Sequence, residues 1–302
     1  MPELGLVVMA YGTPATPAEV EPYYTHIRHG HAPSPEQLED LTARYRAIGG
    51  TSPLAERTEA QRRALAAALD AAEPGRWTVA LGQKHAPPFI EDAVATVAAA
   101  GATRVVGLVL APHFARASVG QYLERLHASA SEHGLTAAGI EDWHLEPTYL
   151  AFLADAVRDA LASLPARTTV LFTAHSLPER ALVDDPYPEQ LEASAEAVAA
   201  AVGLDRAGWS LCWQSAGRTA DPWRGPDVLD VIDDLAGTGR ADGVLVCPQG
   251  FVSDHLEVVY DLDLEARRRA EERGLVFGRT RVLNDDVAVL GALADRVRKA
   301  AP

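Results

Sequence analysis

The stretch Thr169-Val-Leu-Phe-Thr-Ala-His-Ser-Leu-Pro178 is a short apolar run that ends abruptly in a polar loop carrying a histidine. The run has the length and residue types of a buried strand, and Pro178 fits the first turn of a following helix. Similar short runs alternate with longer amphipathic stretches along the whole chain, a pattern typical of βαβ units. The alternation predicts an α/β fold in which helices flank parallel sheets.

Eight strands predicted in this way suit two four-stranded sheets. They cover residues 4–9, 77–82, 104–110, 138–142, 168–174, 208–213, 242–247 and 275–278. The predicted helices cover residues 56–72, 90–100, 119–133, 150–164, 190–202, 226–235 and 286–301. At 302 residues the chain exceeds the usual size of one hydrophobic core. We therefore expect an N-terminal domain over residues 1–140, completed by the last helix (286–302), and a C-terminal domain over residues 141–285.

The composition excludes some classes of partner. A formal charge of −15 argues against nucleic acid, whose binders gather Lys and Arg into patches. No apolar run approaches the roughly 20 residues of a membrane span, and the first apolar run fits a strand better than a signal peptide. The two cysteines, Cys212 and Cys247, follow neither a CxxC nor a secreted pattern. We expect a cytoplasmic protein with both thiols buried and inert.

Three acidic residues, Glu257, Asp261 and Glu265, recur at intervals of four in a segment that fits a helix. On a helix this spacing stacks the carboxylates on one side. Like charges at that separation repel by about 0.2–0.5 kcal/mol per pair, so a purely solvated helix would more naturally alternate Glu with Lys. The row predicts a site for a hard cation or for protons.

An alternative interpretation of the same segment stays open from the residues alone. Asp254 would cap the helix with Glu257 as its capping-box partner, and the other acids would be ordinary surface residues. The neighbouring apolar row, Leu256, Tyr260 and Leu264, favours the cation or proton site over an ordinary surface helix. This row would anchor the helix and hold the acids at the edge of a cleft.

Two further candidates follow predicted strands, where open parallel sheets bind their ligands. His175 ends the quoted strand, and imidazole serves as a proton acceptor or a metal ligand, although a lone histidine is more often structural. Tyr11 follows the first strand and is either a packed ring or a ligand-binding phenol. The segment from Tyr23 to His31 mixes aromatic, aliphatic and cationic groups suited to a flat apolar ligand with peripheral carboxylates. GxSxG, GxGxxG and GxxxxGK[ST] motifs do not occur.

Taken together, the loops resemble those of ferrochelatases, especially the short bacterial form that acts on coproporphyrin III. The resemblance spans essentially the whole chain and implies a chelatase-like fold of two Rossmann-like domains with a porphyrin cleft between them. It rests on Met9-Ala-Tyr-Gly-Thr-Pro14, Tyr24-Thr-His-Ile-Arg28, Tyr45-Arg-Ala-Ile-Gly-Gly-Thr-Ser-Pro-Leu54, Ala174-His-Ser-Leu-Pro178, Asp221-Pro-Trp-Arg-Gly-Pro-Asp227 and Gly250-Phe-Val-Ser-Asp-His-Leu-Glu257.

The resemblance also implies roles for individual residues. His175 and Glu257 match the catalytic pair. The residues implied to meet the metal are His175, Glu257, Tyr11, Asp261 and Glu265, with Tyr11 approaching it from the opposite face of the ring. The substrate-binding residues implied are Tyr11, Ile27, Arg28, Arg44, Ser52 and Tyr122, of which Arg44, Ser52 and Tyr122 would hold propionates or a hydrated cation.

The activity implied is insertion of Fe²⁺ into coproporphyrin III to give coprohaem in haem biosynthesis. Fe²⁺ is then a substrate, no organic cofactor is expected, and two separated cysteines cannot complete the four ligands of a [2Fe–2S] cluster. Transfer of coprohaem to a decarboxylase and a monomeric state are implied as well. A protoporphyrin IX ferrochelatase is the nearest alternative, and a non-catalytic haem or metal carrier is an alternative of another class.

Overall fold

Two inner strands of the fold are buried on both faces, as their uninterrupted apolar sequences require. Every residue of Leu4–Ala10 and of Gly243–Cys247 is buried. A computed structural model, which describes residues 2–217 and 219–301, places these strands in two parallel four-stranded sheets of order β2-β1-β3-β4 and β6-β5-β7-β8. The strands are β1 Leu4–Ala10, β2 Trp77–Gln83, β3 Arg104–Val109, β4 Thr136–Ile140, β5 Thr168–His175, β6 Trp209–Gln214, β7 Gly243–Cys247 and β8 Val276–Arg279.

Helices cover both sheets and fill the crossovers between parallel strands. Two segments are π-helical, Arg116–Gly120 and Val259–Ala266. The α-helices are α1 Val20–Ile27, α2 Pro35–Ala47, α3 Leu54–Ala72, α4 Ile90–Ala99, α5 Gln121–Glu132, α6 Pro147–Leu161, α7 Tyr187–Val202, α8 Val228–Thr238, α9 Leu256–Val258, α10 Arg267–Glu272 and α11 Val287–Ala300.

The predicted fold class is confirmed, and each predicted strand lies within two residues of its observed bounds. Helix α2 was not predicted, although its start carries a readable signal. The Ser34 hydroxyl accepts a hydrogen bond from the Gln37 backbone N–H, the Gln37 side-chain oxygen accepts one from the Ser34 backbone N–H, and Pro35 occupies the first turn. The helix ends before Gly49 and Gly50, whose φ values of 103° and 101° favour glycine.

One apolar cluster joins the two sheets. It includes Leu6 of β1 and Phe172 of β5, and α6 and α11 contribute to the same cluster. Leu290 of α11 packs in it with Leu65 of α3, so the C-terminal helix returns to the first half of the chain. The domain division near residue 140 stays a prediction. Since the sheets are fixed side by side through this core, the loops at their carboxyl ends border a common cleft.

The two cysteines lie in different strands of the second sheet. Cys212 of β6 and Cys247 of β7 are both buried, as predicted, and burial raises the pKa of Cys247 to about 12. The two strands flank β5 on opposite sides, so the thiols are not neighbours in the sheet. Within residues 2–217 and 219–301, none of the helices combines the length and the apolar character needed to cross a bilayer.

Candidate active site

A cleft of about 820 Å³ opens at the carboxyl ends of the strands and is lined by both halves of the chain. Residues that follow or end β1, β2, β3, β5 and β6 contribute to its wall. Of the candidates named from the sequence, those that line the cleft are Tyr11, Ile27, Arg44, Ser52, Tyr122, His175, Glu257, Asp261 and Glu265. The Arg28 side chain instead lies over the Tyr24 ring, and its Nε donates to the His31 carbonyl.

His175 and Glu257 face each other in the C-terminal wall. His175 is the last residue of β5, and Glu257 lies in α9, with Nε2 3.6 Å from Oε1. The His175 Nδ1 donates to the Ser176 carbonyl, which fixes the ring and leaves Nε2 toward the carboxylate. His255 Nε2 lies 3.7 Å from the other carboxylate oxygen. The two predicted catalytic residues therefore come from a strand and a helix that lie far apart in the chain, and their side chains meet in the cleft wall.

The charges of this pair are set by competition between burial and attraction. Burial lowers the pKa of His175, but the charge and hydrogen bond of Glu257, with smaller contributions from the Ser176 carbonyl and Asp261, together raise it to about 9. Burial raises the pKa of Glu257, but His175 and His255 together bring it well below its usual range. At neutral pH the pair is an imidazolium and a carboxylate. His175 can therefore accept a proton or bind a metal only after it has released the proton it holds.

The acidic row lies on a helix, as predicted, but its central part is π-helical. Asp261 is buried, with its Oδ2 accepting a 2.5 Å hydrogen bond from Ser215 Oγ and its Oδ1 3.4 Å from Arg44 Nη1. Burial and the charge of Glu257 raise the pKa of Asp261 to about 7, against the opposing effects of Ser215 and Arg44. This carboxyl therefore changes its charge near neutral pH.

The capping alternative for this segment is wrong. The residue at the N-cap is His255, and its side chain caps nothing. Asp254 instead accepts a 2.8 Å hydrogen bond from Asn284 and lies 3.3 Å from Arg279. Glu257 is consequently free of any capping role and points toward His175.

The anchoring row predicted for this helix is also wrong. Leu264 is 41% exposed, whereas Val258, Leu262 and Ala266 are fully buried in the C-terminal core. Both rows repeat at intervals of four, so periodicity alone cannot choose between them. The row that faces the core is decided by how the segment packs against α8 and the second sheet. The acids nevertheless face the cleft, because they lie next to either row on the helix.

The N-terminal wall presents rings and few charges. The Tyr11 ring, 43% exposed, lies 4.6 Å from the His85 ring, and burial of the phenol together with Glu257 raises the pKa of Tyr11 far above its usual value. Tyr11 therefore faces the cleft as a neutral phenol. A bond from this oxygen to a metal requires loss of a strongly held proton.

Sequence reasoning missed Lys84 and His85, which also line the cleft. Burial and Arg125 lower the pKa of Lys84 to about 8, and burial and Lys84 lower the pKa of His85 to about 3. The Lys84 ammonium lies 5.1 Å from the centre of the Tyr122 ring. Their place directly after β2, where parallel sheets bind ligands, was the signal available in the sequence.

The donors that line the cleft do not form one compact metal centre. Among the residues that the structure describes, no group of three or more His, Cys, Asp and Glu side chains is placed to hold a metal ion together. The first contact is instead offered by the pair of His175 and Glu257. Asp261, further along the helix that carries Glu257, offers the next contact. This arrangement suits a cation or proton that passes from one group to the next.

Comparisons with known proteins agree with this geometry. The sequence profile of the family described as Ferrochelatase matches residues 3–301. The coproporphyrin III ferrochelatase of Halalkalibacterium halodurans is 43% identical, over 98% of this chain and 97% of its own. The ferrochelatase of Herpetosiphon aurantiacus is also 43% identical, over 95% of this chain and 96% of its own.

Solved structures share the fold at much lower sequence identity. The sirohydrochlorin chelatase SirB of Bacillus subtilis subspecies spizizenii aligns with a TM-score of 0.59 at 10% identity, over 99% of this chain and 95% of its own. CbiX, described as the terminal enzyme for siroheme biosynthesis in denitrifying bacteria, aligns with a TM-score of 0.57 at 16% identity, over 99% of both chains. These structures establish a chelatase-like arrangement of the two sheets.

Proposed function

Because the chain belongs to the ferrochelatase family, we propose that it inserts Fe²⁺ into coproporphyrin III and releases coprohaem. The observation that carries the proposal is the His175–Glu257 pair, 3.6 Å apart in the wall of a cleft of about 820 Å³. A cleft of this size falls within the usual range of about 300–1,000 Å³ for small-molecule sites. The relatives that bear the name coproporphyrin III ferrochelatase cover nearly the full chain.

The reaction exchanges one Fe²⁺ for two protons on the pyrrole nitrogens. With the ring plane between the two walls, His175 and Glu257 face it from the C-terminal side and Tyr11 from the other. Glu257 is an ionised oxygen ligand and proton acceptor, and His175 gains the same ability once it has lost its proton. Asp261 and Glu265 continue the row along the cleft and carry protons or the incoming cation.

The peripheral contacts of the proposal follow from the other lining residues. Arg44 supplies a guanidinium, and Ser52 and Tyr122 supply hydroxyls for the carboxylates of the porphyrin. Ile27 and Tyr11 pack against the ring. Arg28 would reach a carboxylate only by leaving its place over Tyr24.

The proposal also covers the recipient of the product, the cellular compartment and the oligomeric state. Coprohaem still carries its four propionates, so an enzyme that converts propionates by decarboxylation is the expected recipient. We place the reaction in the cytoplasm and assign it to a monomer. Analytical ultracentrifugation of the purified chain tests the monomer, for which a single species near 32.2 kDa is expected.

The proposed activity is tested by anaerobic initial rates of Fe²⁺ insertion into coproporphyrin III and into protoporphyrin IX. We expect the first porphyrin to be preferred, because four propionates engage more peripheral donors than two. Equal rates, or a preference for protoporphyrin, would contradict the substrate assignment. Tight porphyrin binding without any turnover would instead show a carrier.

A further inference from the structure

An ion pair crosses the cleft between the two halves of the molecule. Arg44 of α2 lies with its Nη1 3.4 Å from Oδ1 of Asp261 in the π-helical segment. Both residues line the cleft, and their side chains are 25% and 8% exposed. Any flat ligand that fills the cleft therefore lies against this pair.

Each partner of this ion pair is also held by other groups. Asp261 keeps a 2.5 Å hydrogen bond from Ser215, whose φ of 58° places it in the left-handed region and fixes its direction. Arg44 lies over the Tyr260 ring at 5.0 Å, with its Nε 3.3 Å from Asp40. When Arg44 and Asp261 separate, each side chain therefore still has other partners.

A porphyrin with four carboxylates needs cationic partners in this cleft. Among the described lining residues, Arg44 is the only arginine and Lys84 the only lysine. Arg44 is paired with Asp261, so a carboxylate of the ligand must compete with Asp261 for it. An arginine offers the planar fork that carboxylates bind best, which makes this exchange of one carboxylate for another nearly balanced.

We propose that a carboxylate of the bound porphyrin replaces Asp261 as the partner of Arg44, and that the released Asp261 then strengthens binding of the incoming divalent cation. Arg44 thereby couples the two substrates, as a positioning residue. The inference rests on the proposed function of the cleft. Its physical basis is electrostatic. When Asp261 loses the guanidinium as its partner, the wall near Glu257 becomes more negative and attracts a divalent cation more strongly. By linkage, the cation strengthens porphyrin binding by the same factor.

The coupling is measured as the Co²⁺ affinity of the chain with and without palladium(II) coproporphyrin III, whose ring centre is already filled. Isothermal titration calorimetry at pH 8 gives both values, and the component lost in Asp261→Asn identifies the site. For the unaltered chain we expect Co²⁺ to bind more tightly when the porphyrin is present, by on the order of 5- to 150-fold.

The decisive variant is Arg44→Met. It should bind Co²⁺ without porphyrin as tightly as the unaltered chain does with porphyrin, and gain nothing further when porphyrin is added. The first half of this expectation needs no porphyrin, so weakened porphyrin binding does not obscure it. The matched control is Arg46→Met, which removes the same charge from the same helix. Arg46 is 68% exposed and pairs with Glu39 at 3.5 Å, so its loss should leave the coupling intact.

Two results would overturn the inference. One is an Arg44→Met chain whose Co²⁺ affinity without porphyrin equals that of the unaltered chain, and the other is coupling that persists in this variant. Turnover of the unaltered chain is measured in parallel. Normal iron insertion with unchanged coupling in Arg44→Met defeats the exchange alone, whereas absence of insertion in the unaltered chain defeats the proposed function.

Discussion

The two walls of the cleft differ in how burial acts on their polar groups. On the N-terminal wall, burial favours the neutral forms of Tyr11, Lys84 and His85. Neighbouring charges act in the same direction there, since Glu257 also raises the pKa of Tyr11 and Arg125 also lowers that of Lys84. On the C-terminal wall, burial also lowers the pKa of His175, yet Glu257, with help from the Ser176 carbonyl and Asp261, keeps the imidazole charged. A carboxylate at 3.6 Å is the main difference between the walls.

This difference assigns distinct tasks to the two walls. Neutral rings on the N-terminal side suit the plane of an aromatic macrocycle, which gains from apolar contact. Ionised groups on the C-terminal side suit the exchange of protons for a divalent cation. If the division holds, substitutions on the C-terminal wall change turnover, and substitutions on the N-terminal wall change porphyrin binding.

The largest effect is expected from His175→Ala. Loss of the imidazole should lower kcat for Fe²⁺ insertion by about 10²–10⁴-fold, the usual contribution of a positioned acid or base. Porphyrin affinity, measured by fluorescence quenching, should stay close to that of the unaltered chain. The matched control is His127→Ala, which removes an exposed histidine of α5. Near-normal turnover in His175→Ala would remove the reason for assigning proton and metal chemistry to this wall.

The next effect concerns Asp261 and pH. A carboxyl with a pKa raised to about 7 is mostly protonated below that pH and ionised above it. We expect kcat/KM for Fe²⁺ to rise as pH increases through about 7, because only the ionised form attracts the cation. Asp261→Asn should flatten this rise and lower kcat/KM at pH 8 by about tenfold, corresponding to about 1.4 kcal/mol. An unchanged pH profile in Asp261→Asn would show that another group controls it.

The C-terminal wall was more accessible to sequence reasoning than the N-terminal wall, for physical reasons. His175 stands at the end of an unbroken apolar run, and the acids repeat at a helical interval. Both patterns are visible in the sequence. The π-helical winding of Val259–Ala266 could not be predicted, because it depends on packing and not on the interval of four. The choice of the anchoring row failed for the same reason.

The sequence also could not predict properties that depend on contacts between residues far apart in the chain. Lys84 and His85 directly follow a predicted strand, but the lowered pKa values of both side chains result from burial that only the assembled cleft provides. The Arg44–Asp261 ion pair joins residues 217 positions apart, and no local pattern links them. The bounds of the strands and of most helices, in contrast, depend on local patterns and were largely predictable.

A smaller effect is expected from Lys84→Met on the N-terminal wall. Loss of the ammonium should raise KM for coproporphyrin III by about three- to tenfold, equivalent to about 0.7–1.4 kcal/mol, with little change in kcat. A porphyrin with two propionates should lose less. The control is Lys299→Met, since Lys299 of α11 is the only other lysine in the chain. A fall in kcat with unchanged KM would place charge chemistry on both walls and break the division between them.

The smallest effect is on stability, through the ion pair of His175 and Glu257. A histidine whose folded pKa is raised to about 9 stabilises the fold fully below its unfolded pKa near 6.5, and this contribution is lost as pH rises through about 9. Both side chains are about one-third exposed, at 36% and 33%, so solvent screening reduces the contribution to about 1 kcal/mol or less. That amount corresponds to a change in Tm of about 2 °C.

Glu257→Gln separates this contribution from the general effect of alkaline pH. The variant lacks the carboxylate that raises the pKa of His175, so burial alone acts on the imidazole and its charge is lost at lower pH. Between pH 7 and pH 9.5 the Tm of the unaltered chain should therefore fall slightly more than that of the variant, as measured by differential scanning fluorimetry. Parallel curves of Tm against pH for the two proteins would mean that the C-terminal wall does not stabilise the imidazolium form of His175. The difference in charge between the two walls would then depend on Asp261 alone.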